Sequence, residues 1–465
     1  MKKRIGIVLA AGQGKRMKSK LYKVLHPVCG VPMVGHVIKL LNDINADRTV
    51  VIVGHGAEAV QQCLDGQAEF VLQQEQLGTG HAVLQAKELL SEEEGTTFVV
   101  CGDTPLIRHE SLQQMMDLHE RTGAAATIMT AELEKPHGYG RIVRDTDGSV
   151  KSIVEQKDCT EEQSSIREIN TGTYCFDNQK LFKALAKVTN QNAQQEYYLT
   201  DVIGILRASG ELVQGYILED EQESIGINDR VALSEAERLM RRRIAEMHMR
   251  NGVTIIDPDS TYIDADVQIG MDTTLLPNTI LKGKTQIGEG CLIGPNSELA
   301  DTIVGDSCSV KQSVIAESKL GSDIQVGPFA YIRPGSEISD QVKIGDFVEI
   351  KKSVIGSGSK VPHLSYVGDA IVGSGVNIGC GTITANYDGL RKHTTTIEDG
   401  AFIGSNSNLI APVKIGKNAY VVAGSTITQD VDADGLAIAR ARQTTKSGYA
   451  SKLKKRIEQQ NKSKS

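Results

Sequence analysis

The sequence contains no tryptophan, and aromatic side chains make up only 4% of its 465 residues. A core assembled around large rings is therefore excluded, and aliphatic residues must fill the interior. The eight cysteines include no C-x-x-C pair and no metal-like spacing, which argues against a zinc site or a disulfide framework. With a chain that runs from Met1-Lys2-Lys3 directly into a strand pattern, we expect reduced thiols and a cytoplasmic protein. No apolar run approaches the roughly 20 residues that cross a bilayer, so no membrane insertion is expected. Positive charge is also in short supply. The formal net charge is −7, which argues against a nucleic-acid partner and leaves any small anionic ligand to be held by local charge.

What is present is a ladder of aliphatic residues with a period of six. It runs Ile263, Ile269, Leu275, Leu281, Ile287, Ile293 and Leu299, then Leu320, Val326, Ile332, Ile338, Ile344 and Ile350. After a one-residue slip it resumes at Ile355, Val361 and Val367, slips again to Val372 and Ile378, and ends Ile397, Ile403, Leu409, Ile415, Val421, Ile427. Neither a helix nor an ordinary strand has this period. A parallel β-helix does, because each short strand sends one apolar side chain inward and stacked coils make a continuous core. Small residues follow the inward aliphatic repeatedly, as in Ile269-Gly270, Ile344-Gly345 and Ile403-Gly404, where we expect the backbone to turn a corner. A β-sandwich would show two-residue alternation and loops of uneven length instead.

A chain of this length exceeds what one core usually supports. The first half alternates apolar strand runs (Arg4–Ala11, Thr49–Gly54, Glu69–Gln73, Thr97–Asp103) with amphipathic helical stretches, an α/β pattern with a largely parallel sheet. From about Ala124 to Tyr216 the pattern loosens, and an antiparallel lobe over the sheet is expected. Asn228 to about Arg250 reads as one helix with Asp229 able to cap it and Asn251-Gly252 ending it. The expected division is 1–227, a linker helix 228–250, and a hexapeptide β-helix with a basic tail, 251–465. The tail from Lys446 has little to bury, and fraying is expected at its end.

The segment Leu9-Ala10-Ala11-Gly12-Gln13-Gly14-Lys15-Arg16-Met17 follows a strand and carries two glycines where a backbone could wrap a triphosphate, with Lys15 and Arg16 adding charge. It is neither a Walker A loop nor G-x-G-x-x-G, and alone it reads equally well as a tight turn. Lys23-Val24-Leu25-His26-Pro27, Gln73, Gln76-Leu77-Gly78-Thr79-Gly80 and Cys101-Gly102-Asp103 follow it. Asp103 sits at a strand end, where a short carboxylate can reach a metal or cap the turn before Thr104-Pro105.

Together these motifs resemble the signature of the sugar nucleotidyltransferases, which join a nucleoside triphosphate to a sugar-1-phosphate and release pyrophosphate. With the hexapeptide ladder behind them, essentially the whole chain is similar to a family of bacterial bifunctional enzymes that act as N-acetylglucosamine-1-phosphate uridyltransferase and glucosamine-1-phosphate N-acetyltransferase. The resemblance implies a Rossmann-like α/β nucleotidyltransferase domain in which Leu9, Ala10, Ala11 and Gly12 form the nucleotide loop and Lys23 contacts phosphate. It implies that Gln73, Gly78 and Thr79 read the uracil of UTP, that Asp103 and Asn228 hold Mg2+, and that Gly138, Glu155 and Asn170 hold the sugar. Tyr22 departs from the family, which often has Pro before the lysine; a shift of the loop without loss of charge is expected. The chemistry requires positive charge, because two anions must meet and pyrophosphate must leave; Arg16, Lys23 and a magnesium ion can supply it.

Inside the ladder the register is broken by the insertion Thr384-Ala385-Asn386-Tyr387-Asp388-Gly389-Leu390-Arg391-Lys392-His393, and a loop thrown out of a regular coil is usually there for binding. Arg333, Lys351, His363 and Tyr366 lie close by in coil terms at positions that do not face the core. A phosphorylated amino sugar needs Arg and Lys, and an amine attacking a thioester needs a base, for which His is suited near neutral pH. The family resemblance implies Arg333, Lys351, Tyr366, Asn377 and Lys392 for the sugar phosphate, His363 as general base, and Cys380, Asn386, Tyr387, Ser405, Ala423 and Arg440 along the acetyl-CoA channel. It also implies a left-handed β-helix and a homotrimer. Glu349 is a candidate to orient the imidazole of His363. A β-helix serving only as an oligomerisation module would leave His363 and the insertion without a purpose, and a purely structural solenoid would leave Leu9–Met17 and Asp103 unexplained.

Overall fold

The computed structural model describes residues 3–462, which divide into two compact units. One runs up to Met247 and includes Ile263–Ala265; the other holds His248–Tyr262 and continues from Asp266.

In the first unit the strand order is Val213–Ile217, Ala126–Glu132, Glu168–Asp177, Gly95–Cys101, Lys3–Ala10, Arg48–Val53, Glu69–Leu72. Lys3–Ala10 is central and pairs in parallel with Arg48–Val53 and Gly95–Cys101. Its residues Ile5, Ile7 and Val8 are fully buried, as expected of a strand covered on both faces. Helices Met33–Asp43 and His109–Thr122 cover one face, where Val37, Ile38, Leu41, Leu112, Met115 and Met116 form a core with Val8, Val51 and Phe98. The expectation of a separate antiparallel lobe is corrected. Ala126–Glu132 and Val213–Ile217 join the main sheet in parallel, and Glu168–Asp177 runs antiparallel between its neighbours. Only the hairpin Arg141–Arg144 with Val150–Val154 hangs from the side, pairing with Glu168–Asp177 through Ile169. The helix Arg230–Arg250 starts where Asp229 Oδ1 accepts from the backbone N–H of Val231 (3.0 Å) and Ala232 (2.9 Å).

The second unit is a β-helix of three parallel sheets in which each strand pairs with the one three positions along the chain, until Tyr420–Val421 pairs with Leu436–Ala437 two positions on. Each coil thus gives one strand to every sheet. Leu275 lies under Ile293, Leu281 under Leu299 and Ile287 under Val304. Of the aliphatics in the ladder only Ile269 is less than fully buried. The gap between Leu299 and Leu320 is filled by Val304, Val310 and Ile315, in coils shortened by the slips. Thr384 takes the core position after Ile378, so the extra loop begins only after Ala385.

Among the glycines after the inward aliphatics, Gly294 and Gly327 do turn the chain in a left-handed conformation (φ +101° and +97°), whereas Gly270 and Gly345 are required by the close stacking of coils. A Cβ at Gly270 would lie 2.6 Å from the carbonyl carbon of Gly288, and one at Gly345 would lie 1.8 Å from the carbonyl oxygen of Pro362. Stacked backbones approach too closely there for any side chain. Further left-handed positions fall on residues such as Asp272, Asn278 and Asn296, types that tolerate them. Buried Ser and Thr hydroxyls satisfy carbonyls beside these turns, as Thr285 Oγ1 does for Lys282 (2.7 Å) and Ser353 Oγ for Lys351 (2.8 Å). The tail carries an exposed helix, Tyr449–Lys462, and the end of the tail, 463–465, lies outside the described residues. Among the described residues no helix is long and apolar enough to cross a membrane.

Candidate active sites

In the first unit the carboxyl ends of the central strands open onto a cleft of about 280 Å³. Leu9, Ala10, Ala11, Gly12, Lys23, Gln73, Gly78, Thr79 and Asp103 all line it, with Gln76, Cys101 and Glu196. This is the edge where open α/β sheets bind ligands. A Cβ on Gly12 would meet nothing within 4 Å, so this backbone borders free space. Gly14 is left-handed (φ +62°), and a Cβ there would meet the Cβ of Lys23 at 2.6 Å, so the turn fixes the base of that lysine. Tyr22 is accommodated by Gly56, over whose Cα its ring lies; a Cβ there would fall 1.9 Å from the ring. Arg16 stands exposed on the adjoining turn Lys15–Met17 and is not part of the lining.

Gln73 is buried, and its Nε2 donates to the carbonyl of Gly78 at 3.2 Å. Gly78 is itself held by Tyr197: a Cβ on Gly78 would lie 2.6 Å from the Tyr197 carbonyl oxygen, and the N–H of Gly80 donates to that oxygen at 2.8 Å. The segment Glu196–Thr200 thus braces the turn, a role no local motif announces. Burial pushes the Cys101 thiol up to about 12, which disfavours its thiolate near neutral pH.

Lys23 Nζ contacts the carboxylate of Asp103 and lies 3.3 Å from Asn228 Oδ1. The N–H of Ile227 donates to the carbonyl of Asp103 at 3.0 Å, which ties the Asn228 turn to the strand end. Two hard oxygens from distant parts of the chain therefore converge on one cation. That donor set suits Mg2+, which keeps several waters and takes other ligands from substrate phosphates. Among the described residues no group of three or more His, Cys, Asp or Glu could hold a metal, so any ion here relies on few protein ligands.

Glu155 and Asn170 come together beside Gly140, not Gly138. A Cβ on Gly140 would lie 3.5 Å from Glu155 Oε1 and 3.6 Å from the Asn170 Cβ, whereas one on Gly138 would meet nothing within 4 Å. Gly138 instead donates its N–H to Gln156 Oε1 at 3.1 Å. The expectation named Gly138, but it is the carbonyl of Gly140 that accepts from the Asn170 N–H, at 2.9 Å. Burial raises the pKa of Glu155 above the usual carboxylate range, opposed by a hydrogen bond from Thr200 Oγ1 (3.3 Å). Asn170 Nδ2 donates to the Tyr174 hydroxyl at 2.7 Å, and its Oδ1 accepts from the N–H of Gly172. Cys101, at the cleft, contacts the Gly172 carbonyl, so the Glu155 and Asn170 group adjoins the cleft.

In the second unit a charged cluster lies on the second sheet under the inserted loop. Lys351 is almost buried, with Nζ 2.9 Å from Asp369 Oδ2. The Asn386 side chain donates to that carboxylate and approaches the Tyr366 hydroxyl at 3.4 Å. Lys392 is close enough to Lys351 for the two ammonium groups to interact, and this depresses the pKa of Lys392. Arg333 Nη1 donates to Glu349 Oε1 at 2.8 Å and lies over the Tyr331 ring. Cations held this close create a local positive potential suited to a phosphate. The loop is shaped internally: Asp388 accepts from the N–H of Leu390 (2.8 Å) and Arg391 (2.6 Å), and Tyr387 bridges to Lys392.

His363 ends the strand Lys360–His363 on the first sheet, and Tyr366 starts the next strand across the corner. Its Nδ1 is 2.7 Å from Asp346 Oδ1 in the coil below. Glu349 does not orient it. A coil here is 17 residues long, so Asp346 is the residue beneath His363, while Glu349 faces Tyr366 on the second sheet and bonds Arg333. Above His363 the chain returns to the same corner coil after coil. The Gly381 N–H donates to Leu364 O, Asn406 to Cys380 O, and Gly424 to Ser405 O, each at 2.7–2.8 Å. Cys380, Ser405 and Ala423 therefore stack in one column, with the Arg440 side chain beside Gly424. Asn377 stands on the first sheet, above Lys360 and below Phe402.

Comparison with known proteins covers both units. A family of nucleotidyl transferases matches residues 5–229, and the bacterial transferase hexapeptide (six repeats) family matches 266–301 and 394–429. The chain is 58% identical over 453 residues to the bifunctional protein GlmU of Geobacillus sp. (strain WCH70), covering 97% of this chain and 99% of that protein. It is 57% identical over 453 residues to the bifunctional protein GlmU of Listeria monocytogenes serotype 4a (strain HCC23), with the same coverage. With that of Brevibacillus brevis it shares 57% over 460 residues, covering 99% of this chain and all of the relative.

Proposed function

This chain belongs to the family of bifunctional GlmU proteins, and from that premise we propose how its own residues divide the work. It is a glucosamine-1-phosphate N-acetyltransferase and an N-acetylglucosamine-1-phosphate uridyltransferase, producing UDP-N-acetylglucosamine for bacterial cell-wall synthesis. The observation that carries this reading is a match running through the whole chain, with a distinct charged cluster in each unit. Residues 1–227 perform uridylyl transfer, 228–250 connect, and 251–465 perform acetyl transfer.

In uridylyl transfer the backbone of Leu9, Ala10, Ala11 and Gly12 takes the triphosphate of UTP, while Gln73, Gly78 and Thr79 read uracil. Gly140, Glu155 and Asn170 hold N-acetylglucosamine-1-phosphate, whose phosphate oxygen attacks the α-phosphorus as pyrophosphate leaves. Lys23 turns from Asp103 and Asn228 to the phosphates, and Arg16 adds positive charge from the rim. Asp103 and Asn228 would hold Mg2+, which when bound neutralises phosphate charge.

In acetyl transfer Arg333, Lys351, Tyr366, Asn377 and Lys392 hold glucosamine-1-phosphate. Cys380, Asn386, Tyr387, Ser405, Ala423 and Arg440 line the path of acetyl-CoA. His363 takes a proton from the sugar amine as its nitrogen bonds the acetyl carbon and the coenzyme A thiolate leaves. No acyl-enzyme is required. The column of exposed rings at the same corner, Phe329 stacked on Phe347 (5.5 Å) with Leu364 above, supports self-association, which we assign to a homotrimer. Eight free cysteines support a cytoplasmic location.

The purified protein should release coenzyme A from acetyl-CoA and glucosamine-1-phosphate, and pyrophosphate from UTP and N-acetylglucosamine-1-phosphate. His363→Ala should lose the first reaction by roughly 10²–10⁴-fold, the worth of a positioned general base, and keep the second. Normal turnover with a raised KM for the sugar phosphate would instead make His363 a phosphate ligand.

A further inference from the structure

The geometry points to Asp346 as the positioning residue of the acetyl-transfer base, forming with His363 an aspartate–histidine dyad between consecutive coils. This rests on the assignment of His363 as the base. The parallel register sets Asp346 directly beneath His363, and Asp346 Oδ1 meets imidazole Nδ1 at 2.7 Å. A carboxylate accepts hydrogen bonds and cannot donate them, so Nδ1 carries the proton and the basic lone pair is on Nε2, the nitrogen left for the substrate amine.

The same arrangement explains how the site passes through its charged state. When the amine nitrogen forms its bond to the acetyl carbon and the C–S bond breaks, the amine proton moves to Nε2 and the imidazole becomes a cation. Asp346 stays ionised and stabilises that cation, and the proton then leaves to the thiolate or to solvent. The dyad holds Asp346 below the usual carboxylate range, the hydrogen bond to His363 being the main cause. Backbone constrains Asp346 too. Gly345 before it admits no Cβ against Pro362, and the Leu364 N–H donates to the Asp346 carbonyl at 2.8 Å. The other proton-exchanging groups around His363 are Lys360 on its own strand, Tyr366 across the corner and Cys380 in the coil above, with Lys343 beneath Lys360. Asp346 is the carboxylate that contacts the ring.

The test is the pH–rate profile of acetyl transfer by the full-length protein, followed through coenzyme A release, for the parent, Asp346→Asn, Asp346→Glu and His363→Ala. Loss of the carboxylate leaves the imidazolium that forms during the reaction without its counter-charge, so acetyl transfer by Asp346→Asn should be slower across the profile. The plateau kcat should fall about tenfold or more, because an asparagine amide can also hold the wrong tautomer. KM for glucosamine-1-phosphate should stay unchanged, and Asp346→Glu, which keeps the carboxylate, should recover part of the lost kcat. Pyrophosphate release comes from the other unit, so a parental melting transition together with the unchanged KM reports that the β-helix of the variants is folded. A profile of Asp346→Asn that superposes on the parent, while His363→Ala is inactive, would overturn the dyad and leave the base in place. A His363→Ala protein with parental turnover would overturn both.

Discussion

Replacing Asp103 with asparagine changes one charge at nearly constant volume, and the cluster around it allows both consequences to be sized. Asp103 and Lys23 are mostly buried, with side chains 17% and 14% exposed. A surface pair contributes about 0–1 kcal/mol, and breaking a buried one costs about 3–5 kcal/mol. Lys23 keeps Asn228 Oδ1 at 3.3 Å as an acceptor, so the loss in stability should be about 1–2 kcal/mol, between these limits. For a domain of this size that lowers Tm by about 2–8 °C. The effect on chemistry should be larger. Removing one fixed electrostatic contact to a developing charge costs roughly 10²–10³-fold in kcat, so Asp103→Asn should lose uridylyl transfer by at least that factor. Acetyl transfer, carried by the other unit, should be unchanged. Pyrophosphate release at saturating UTP and magnesium measures the first rate, coenzyme A release the second, and chelator added to the parent should reproduce the same split. Uridylyl transfer within tenfold of the parent, or an equal fall in acetyl transfer, would refute the placement of the cation between Asp103 and Asn228.

Burial raises the pKa of Glu155 above its ordinary 4.5, so its charged form costs stability at pH values above the folded pKa, and the cost fades as pH falls toward 4.5. Glu155→Gln should therefore melt higher than the parent at pH 8 and converge with it near pH 4.5, while losing uridylyl transfer; a Tm difference independent of pH would contradict the assignment. Gly345→Ala must separate two coils next to His363, because its Cβ would sit 1.8 Å from a backbone oxygen, and it should destabilise the β-helix by about 1–3 kcal/mol or more and cut acetyl transfer. Gly358→Ala, at φ +71° in open space, should cost only about 1 kcal/mol from backbone strain, and equal melting of the two variants would show that stacking does not exclude the Gly345 Cβ.

The β-helix was legible because its coil length is written directly in the spacing of Ile, Val and Leu, and burial of those residues follows from the same period. The α/β half was legible to the level of elements: Lys3–Ala10, Arg48–Val53 and Gly95–Cys101 lie where the apolar runs are. Its topology was less so, since nothing in the run Glu168–Asp177 says that it inserts antiparallel into the main sheet instead of forming a separate lobe. Gly138 and Gly140 have the same local chemistry, and only pairing with the strand carrying Asn170 distinguishes them.

Sequence alone determined which residue types could meet: a glycine-rich turn with a lysine, a carboxylate at a strand end, a histidine among cations on a solenoid. These depend on local backbone requirements and on a repeat that every coil restates. Tertiary structure alone decided which partners do meet. Lys23, Asp103 and Asn228 converge from three separate segments. Asp346 rather than Glu349 lies under His363 because the coil there is 17 residues long; Glu349, only 14 residues before His363, falls on the next sheet beneath Tyr366.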